Sequence, residues 1–178
     1  MPAAADPRYP IGRFEWKGPN TPEQRKQLIA RIAALPSEFR AAVRGLTSQQ
    51  LETPYREGGW TLRQVVHHVP ESHMNAYIRC KLALTEDEPT IKPYAEERWA
   101  LLADVPVAPV EASLSLLDSL HQRWAILLGT LKESDFERVF VHPESGPTSI
   151  DKALAHYVWH GMHHTAHITS VRKAKGWG

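Results

Sequence analysis

The sequence predicts an all-α protein, a four-helix bundle with short accessory helices and loops. Three observations lead there. Four long segments repeat apolar side chains three and four residues apart, the spacing that gives a helix one apolar face. Thr-x-x-Gln capping boxes open two of these segments, and no region is rich in strand patterns. At 178 residues the chain suits one domain, 1–178, able to bury a sizeable core without disulfide staples.

Residues 1–20 carry four prolines and two glycines with little periodicity, so they predict an extended N-terminal arm, which Tyr9, Phe14 and Trp16 would anchor. The first helix starts at the Thr21–Gln24 capping box with Pro22 in its first turn, and runs through Leu28, Ile32 and Leu35 to Phe39, Val43 and Leu46. Pro36 is expected to kink or divide it. A helical turn at Thr47–Leu51 and a loop over 53–60 follow. The second helix starts at the Thr61–Gln64 box and extends to about Leu84, with Pro70 interrupting its phase. Prolines at 89, 93 and 106 break the next stretch, leaving room for a short helix near Tyr94–Leu102. The third helix spans about Pro109–Leu131 on Leu114, Leu117, Leu120, Trp124, Leu127 and Leu128. Residues 139–147 predict a short hairpin or an irregular loop, and the fourth helix covers Ser149–Lys175.

Composition excludes several classes of function. A net charge of +1 with scattered basic residues argues against nucleic acid or an acidic membrane as partner. The single Cys80 cannot form an intrachain disulfide or a CxxC motif. The N-terminus lacks the pattern of a signal peptide and no window is apolar enough to cross a membrane, so the expected location is the cytoplasm.

The chemistry concentrates in the fourth helix, where five of the ten histidines fall in twelve residues: His156, His160, His163, His164 and His167. At 100° per residue, His164 falls within the face formed by Ile150, Leu154, Tyr157, Gly161 and Ile168, and His160 lies on its flank. Four residues apart, these two imidazoles can converge on one point, which is half of a metal site. For a third ligand the second helix offers His67, His68 and His73. Periodicity alone favours His73, but Pro70 makes a single phase across that helix unsafe.

Two runs, YREGGWTLRQVVHHVPESHMN at 55–75 and YVWHGMHHTAHI at 157–168, resemble the signature regions of the YfiT-like metal-dependent hydrolases, a branch of the DinB-like four-helix-bundle superfamily. The similarity extends to RYPIG at 8–12, YIRCKLALTE at 77–86 and LHQRW at 120–124. It implies that a histidine eight residues after the tryptophan opening the second helix joins the last helix's HisX3His pair on one divalent ion. Here those residues are Trp60, then His68, with His160 and His164. His73 then stands behind the ligands or in the pocket wall, and His163 and His67 are the alternative ligands. His121 and His142 are expected to be ordinary residues.

Three imidazoles on zinc or nickel, the two metals expected, leave a coordination position open, as catalytic sites do. Water activation would give a hydrolase. Activation of a low-molecular-weight thiol would give a thiol transferase, which the resemblance also implies, and a metal-binding or stress-related bundle without turnover is the non-catalytic alternative. Glu71 and Glu57 are the carboxylates placed to assist, and Tyr55 and Trp159 the aromatics placed to line a pocket. Arg63 and Arg79 are the cations that could hold an anionic substrate, against the plainer role of solvated helix charges. The expected partners are a small-molecule substrate and, by resemblance, a second copy in a homodimer.

Overall fold

The computed structural model describes residues 6–178, so the first five residues of the predicted arm lie outside the described residues. Its helices are α1 (Pro22–Val43), α2 (Ser48–Leu51), α3 (Leu62–Thr85), α4 (Glu96–Trp99), α5 (Val110–Gly129) and α6 (Ile150–Lys175). A 3-10 turn at Glu133–Glu137 and the strands β1 (Val139–His142) and β2 (Gly146–Ser149) join α5 to α6. The strands form an antiparallel hairpin with Val139 opposite Ser149 and His142 opposite Gly146, which settles the predicted hairpin-or-loop alternative.

Local chemistry sets the helix starts as the sequence implies. Thr21, Thr47 and Thr61 each accept from the backbone N–H three residues on, and the glutamine there bonds back. Ser149 caps α6 by accepting from the Lys152 N–H, and Gly176, at φ 67°, ends it in the left-handed conformation that glycine tolerates. The predicted division at Pro36 does not occur, and α1 continues unbroken through it, as α3 does through Pro70. Both prolines are buried, so packing holds each helix together. The cost is local: the carbonyls of Ile32 and Val66, four residues earlier, lose their helical N–H partners.

The bundle consists of α1, α3, α5 and α6. Helix α1 packs against α5 and α6, and α3 packs against the same two, so the order around the bundle is α1, α5, α3, α6. The apolar core falls into two clusters. One holds Ile32, Ala76, Trp124 and Leu154; the other holds Leu35, Val69, Leu117 and Ile168. On α3 and α5 the residues at the break are His73 and His121, both fully buried. A layer of imidazoles therefore crosses the core.

Helix α6 approaches α1 closely at Gly161. A Cβ there would stand 2.0 Å from Leu35 Cδ1 and 2.7 Å from Cδ2, which explains a glycine in mid-helix. At the start of α6, buried Asp151 accepts from the Asn20 backbone N–H at 2.7 Å and from Arg25 Nε at 2.9 Å, tying α6 to α1 and the arm. The arm itself lies over α6, with Phe14 against His156 (ring centroids 4.9 Å) and Trp159 Nε1 donating to the Gly12 carbonyl at 3.2 Å.

Gly161→Ala is expected to lower stability by about 1–2 kcal/mol, because overpacking against Leu35 outweighs the gain in helix propensity. Urea denaturation of the single variant and of Gly161→Ala with Leu35→Ala checks this. The double variant should lose less than the sum of the two single losses.

Candidate metal centre

Helices α3 and α6 bring together His68, His160 and His164, one ring nitrogen of each lying within 4.8 Å of the other two. No other group of three His, Cys, Asp or Glu side chains gathers this way among the described residues. The sequence dictates the convergence: His160 and His164 stack one turn apart on α6, and His68 faces them from α3 while the Trp60 indole packs against its ring at 4.7 Å. His68 Nε2 and His160 Nε2 are 3.4 Å apart. Two nitrogens at about 2.0–2.1 Å from one tetrahedral ion stand about 3.3 Å from each other, so this pair fits a common metal.

A chain of hydrogen bonds fixes which nitrogen His160 presents. The Ile32 carbonyl, released by Pro36, faces His121 Nδ1 at 2.7 Å. A carbonyl only accepts, so His121 carries its proton on Nδ1. Burial lowers the His121 pKa to about 4, so the ring is neutral and its Nε2 is an acceptor. His73 Nδ1, 2.8 Å away, must therefore donate to it. His73 is held well below the ordinary histidine value, chiefly by burial, so its Nε2 in turn accepts from His160 Nδ1 at 3.0 Å. His160, also held neutral chiefly by burial, is left with a bare Nε2 pointed at His68. A freed backbone carbonyl thus selects, through two imidazoles, the tautomer that a metal ligand requires. His164 is backed in a similar way, its Nδ1 lying 3.3 Å from His167 Nδ1.

The three nitrogens sit in a cleft of about 600 Å³, a size suited to a small molecule. Tyr55, stacked on His167 at 4.0 Å, and Trp159, stacked on His163 at 4.5 Å, belong to its wall.

The DinB superfamily model matches residues 31–168. The chain belongs to the DinB superfamily. It is 57% identical to a Bacillus cereus protein named "Putative metal-dependent hydrolase", covering 97% of this chain and 99% of that one. A Bacillus thuringiensis protein of the same name is 56% identical over the same shares. Among solved structures, YfiT from Bacillus subtilis, described as "a probable metal-dependent hydrolase with an unusual four-helix bundle topology", superposes with a TM-score of 0.95 at 46% identity, covering 97% of this chain and 99% of that one. A mycothiol-dependent maleylpyruvate isomerase, at TM-score 0.60 and 15% identity over 78% of this chain and 60% of its own, shares the fold.

Within this DinB bundle the other predicted residues separate. His73 is fully buried behind the site as the hydrogen-bond partner of His160 and is absent from the cleft wall. His67 turns the opposite way, its Nδ1 2.7 Å from the Ser113 hydroxyl of α5, and His163 lines the cleft beside the three nitrogens. Neither Glu71, whose pKa burial and Asp104 raise, nor Glu57 lines the cleft; the carboxylates that do are Glu96, Glu97 and Glu144. Arg63 is paired with Glu52 at 2.6 Å. His121, expected to be ordinary, is the residue that sequence reasoning missed. Its signal was present: on α5 it continues the row Leu114, Leu117, His121, Trp124, Leu128, all buried.

Two outcomes follow. His121→Phe should weaken metal binding about 10–100-fold, the usual effect of losing a group that orients a ligand, and ring 15N spectra of the metal-free protein should show His160 in both tautomers. His121→Gln, which can donate to Ile32 and accept from His73, should stay within a few-fold of the parent in competition with a chelator. The second concerns pH. A buried His121 with its pKa at about 4 protonates more readily in the unfolded chain, where the ordinary value is 6.5. The metal-free protein should therefore hold its full urea midpoint above pH 6.5 and lose stability steadily as pH falls from there toward 4. A midpoint flat across that window would contradict neutral buried imidazoles.

Proposed function

We propose that the cleft is the active site of a metal-dependent hydrolase, in which His68, His160 and His164 hold one divalent ion, zinc or nickel. The observation that carries this reading is the 3.4 Å approach of His68 Nε2 to His160 Nε2, with the His160 nitrogen kept bare by the bonds behind it. The names of the 56–57% identical relatives support the same reading. A divalent ion bound to three neutral imidazoles would lower the pKa of a bound water toward neutrality and polarise a substrate oxygen.

The chain's own residues do the rest. His73 holds the His160 ring in one orientation and keeps its proton on Nδ1, so the ligand nitrogen needs no deprotonation before it binds. His167 can do the same for His164 by accepting from its Nδ1. Trp60, Tyr55 and Trp159 supply the aromatic wall of the cleft, against which the apolar part of a substrate can pack. Glu96, Glu97 and Glu144, all exposed at the cleft wall, are the carboxylates available to move a proton near its opening. The same three nitrogens would also serve the transfer of a low-molecular-weight thiol.

Elemental analysis of protein produced without added metal or a histidine tag should find close to one divalent ion per chain. His68→Ala, His160→Ala and His164→Ala should each lose most of it, while His67→Ala keeps it. Ester and amide hydrolysis by the loaded protein should fall at least about 100-fold in each ligand variant. Metal retained in all three variants would overturn the ligand set, and thiol transfer without hydrolysis would replace the reaction.

A further inference from the structure

The cleft holds a charge that the metal centre does not use. Arg79 of α3 is 9% exposed and lines the cleft, yet it forms no ion pair among the described residues. Burying a guanidinium without a counter-charge costs several kcal/mol, so such a group is retained where a ligand completes it. The other buried arginine shows the contrast: Arg25 is bound by both Asp151 and Glu133.

The surroundings of Arg79 are donors. Ser72, Tyr94 and Tyr157 line the same cleft, Ser72 neighbours both phenols, and Arg79 reaches the Tyr157 hydroxyl, a neutral partner, and lies close enough to Tyr94 to act on it electrostatically. Burial raises the Tyr94 pKa to about 12 and raises that of Tyr157, so both keep their hydroxyl protons. One fixed cation among three hydroxyls matches one planar monoanion. A phosphate dianion would want a second cation beside Arg79, but Arg8 is paired with Asp6 and Arg56, though it has no ion pair among the described residues, is held over the Tyr55 ring at 5.4 Å, while three glutamates add negative charge to the wall.

Position gives a length. His68, Ser72 and Arg79 follow one another along α3, and the eleven residues from His68 to Arg79 rise roughly 16 Å, of which the arginine, leaning toward the helix N-terminus, recovers part. The Tyr157 ring bridges the interval, 5.6 Å from the His160 ring.

We propose that Arg79, with the hydroxyls of Ser72, Tyr94 and Tyr157, seats the carboxylate of a small organic monoanion, whose reacting group lies about 10 Å away at the three histidines. As the substrate class of a hydrolase this rests on the reading above; as a binding site it stands without the metal.

The test uses matched probes, 4-phenylbutyrate, its neutral amide and 3-phenylpropylphosphonate, titrated against the full chain by tryptophan fluorescence and by the NMR signal of the Arg79 Nε–H. Metal-stripped parent and His160→Ala are run first, so that no ion can hold the carboxylate. The parent should bind the carboxylate at least about 10-fold more tightly than the amide, a difference suited to a charge-assisted bond, and the Arg79 signal should shift. Arg79→Gln should bind both equally with an unchanged or higher melting temperature, and Tyr94→Phe should weaken the carboxylate about 3-fold. Equal affinity in the parent, a preference that survives in Arg79→Gln, or tighter phosphonate binding would each overturn the assignment. So would a lower melting temperature in both Arg79→Gln and Arg79→Met, which would make the arginine structural. Parent protein that takes up no metal but prefers the carboxylate would sink only the hydrolase reading; one ion per chain with no preference would sink only this one.

Discussion

The hydrogen bond from His121 Nδ1 to the Ile32 carbonyl is the constraint on which the site depends. A neutral imidazole has one proton and two nitrogens, so a row of them can settle in either of two directions unless one end is fixed. A backbone carbonyl fixes it, since it offers no proton in return. That carbonyl is available because residue 36 is proline and has no N–H for the bond it would otherwise receive. The proline that sequence reasoning takes for a helix breaker thus supplies the acceptor that orients the candidate ligand.

The row also explains the order of helices. It passes from Ile32 on α1 to His121 on α5, His73 on α3 and His160 on α6, and each step joins neighbours in the order α1, α5, α3, α6. A bundle with α1 beside α3 could not make these bonds in sequence. Gly161 closes the circuit by letting α6 approach α1 beside the site, so the ligand helix is held on both sides.

Much of this was legible in the sequence. Capping boxes and apolar spacing located the four long helices to within a few residues, because those signals act within one or two turns. His160 and His164 followed from spacing, while His68 needed family resemblance, since Pro70 left the phase of α3 open. The order of helices and the role of His121 were not legible. Both depend on which helix faces which, and a histidine in an apolar row reads the same whether its partner is water, a carbonyl or nothing. Arg79 was visible only as one arginine on a helix, because the missing counter-charge is a property of its neighbours in space.

A polar layer in the middle of a bundle core carries a cost, because imidazoles displace apolar packing between the two clusters. The hydrogen bonds offset that cost for His73 and His121, which are bonded at both ring nitrogens. They leave the cleft end open to a ligand, where the bare Nε2 of His160 lies 3.4 Å from His68 Nε2 and one guanidinium lies buried without an anion. The cleft thus offers a ligand two features of opposite kinds: a bare ring nitrogen at the inner end, and a fixed positive charge beyond Tyr157. Stability alone would favour apolar residues at each of these positions. Keeping both kinds in one accessible space suits a ligand that brings an anion to one end and a reacting group to the other.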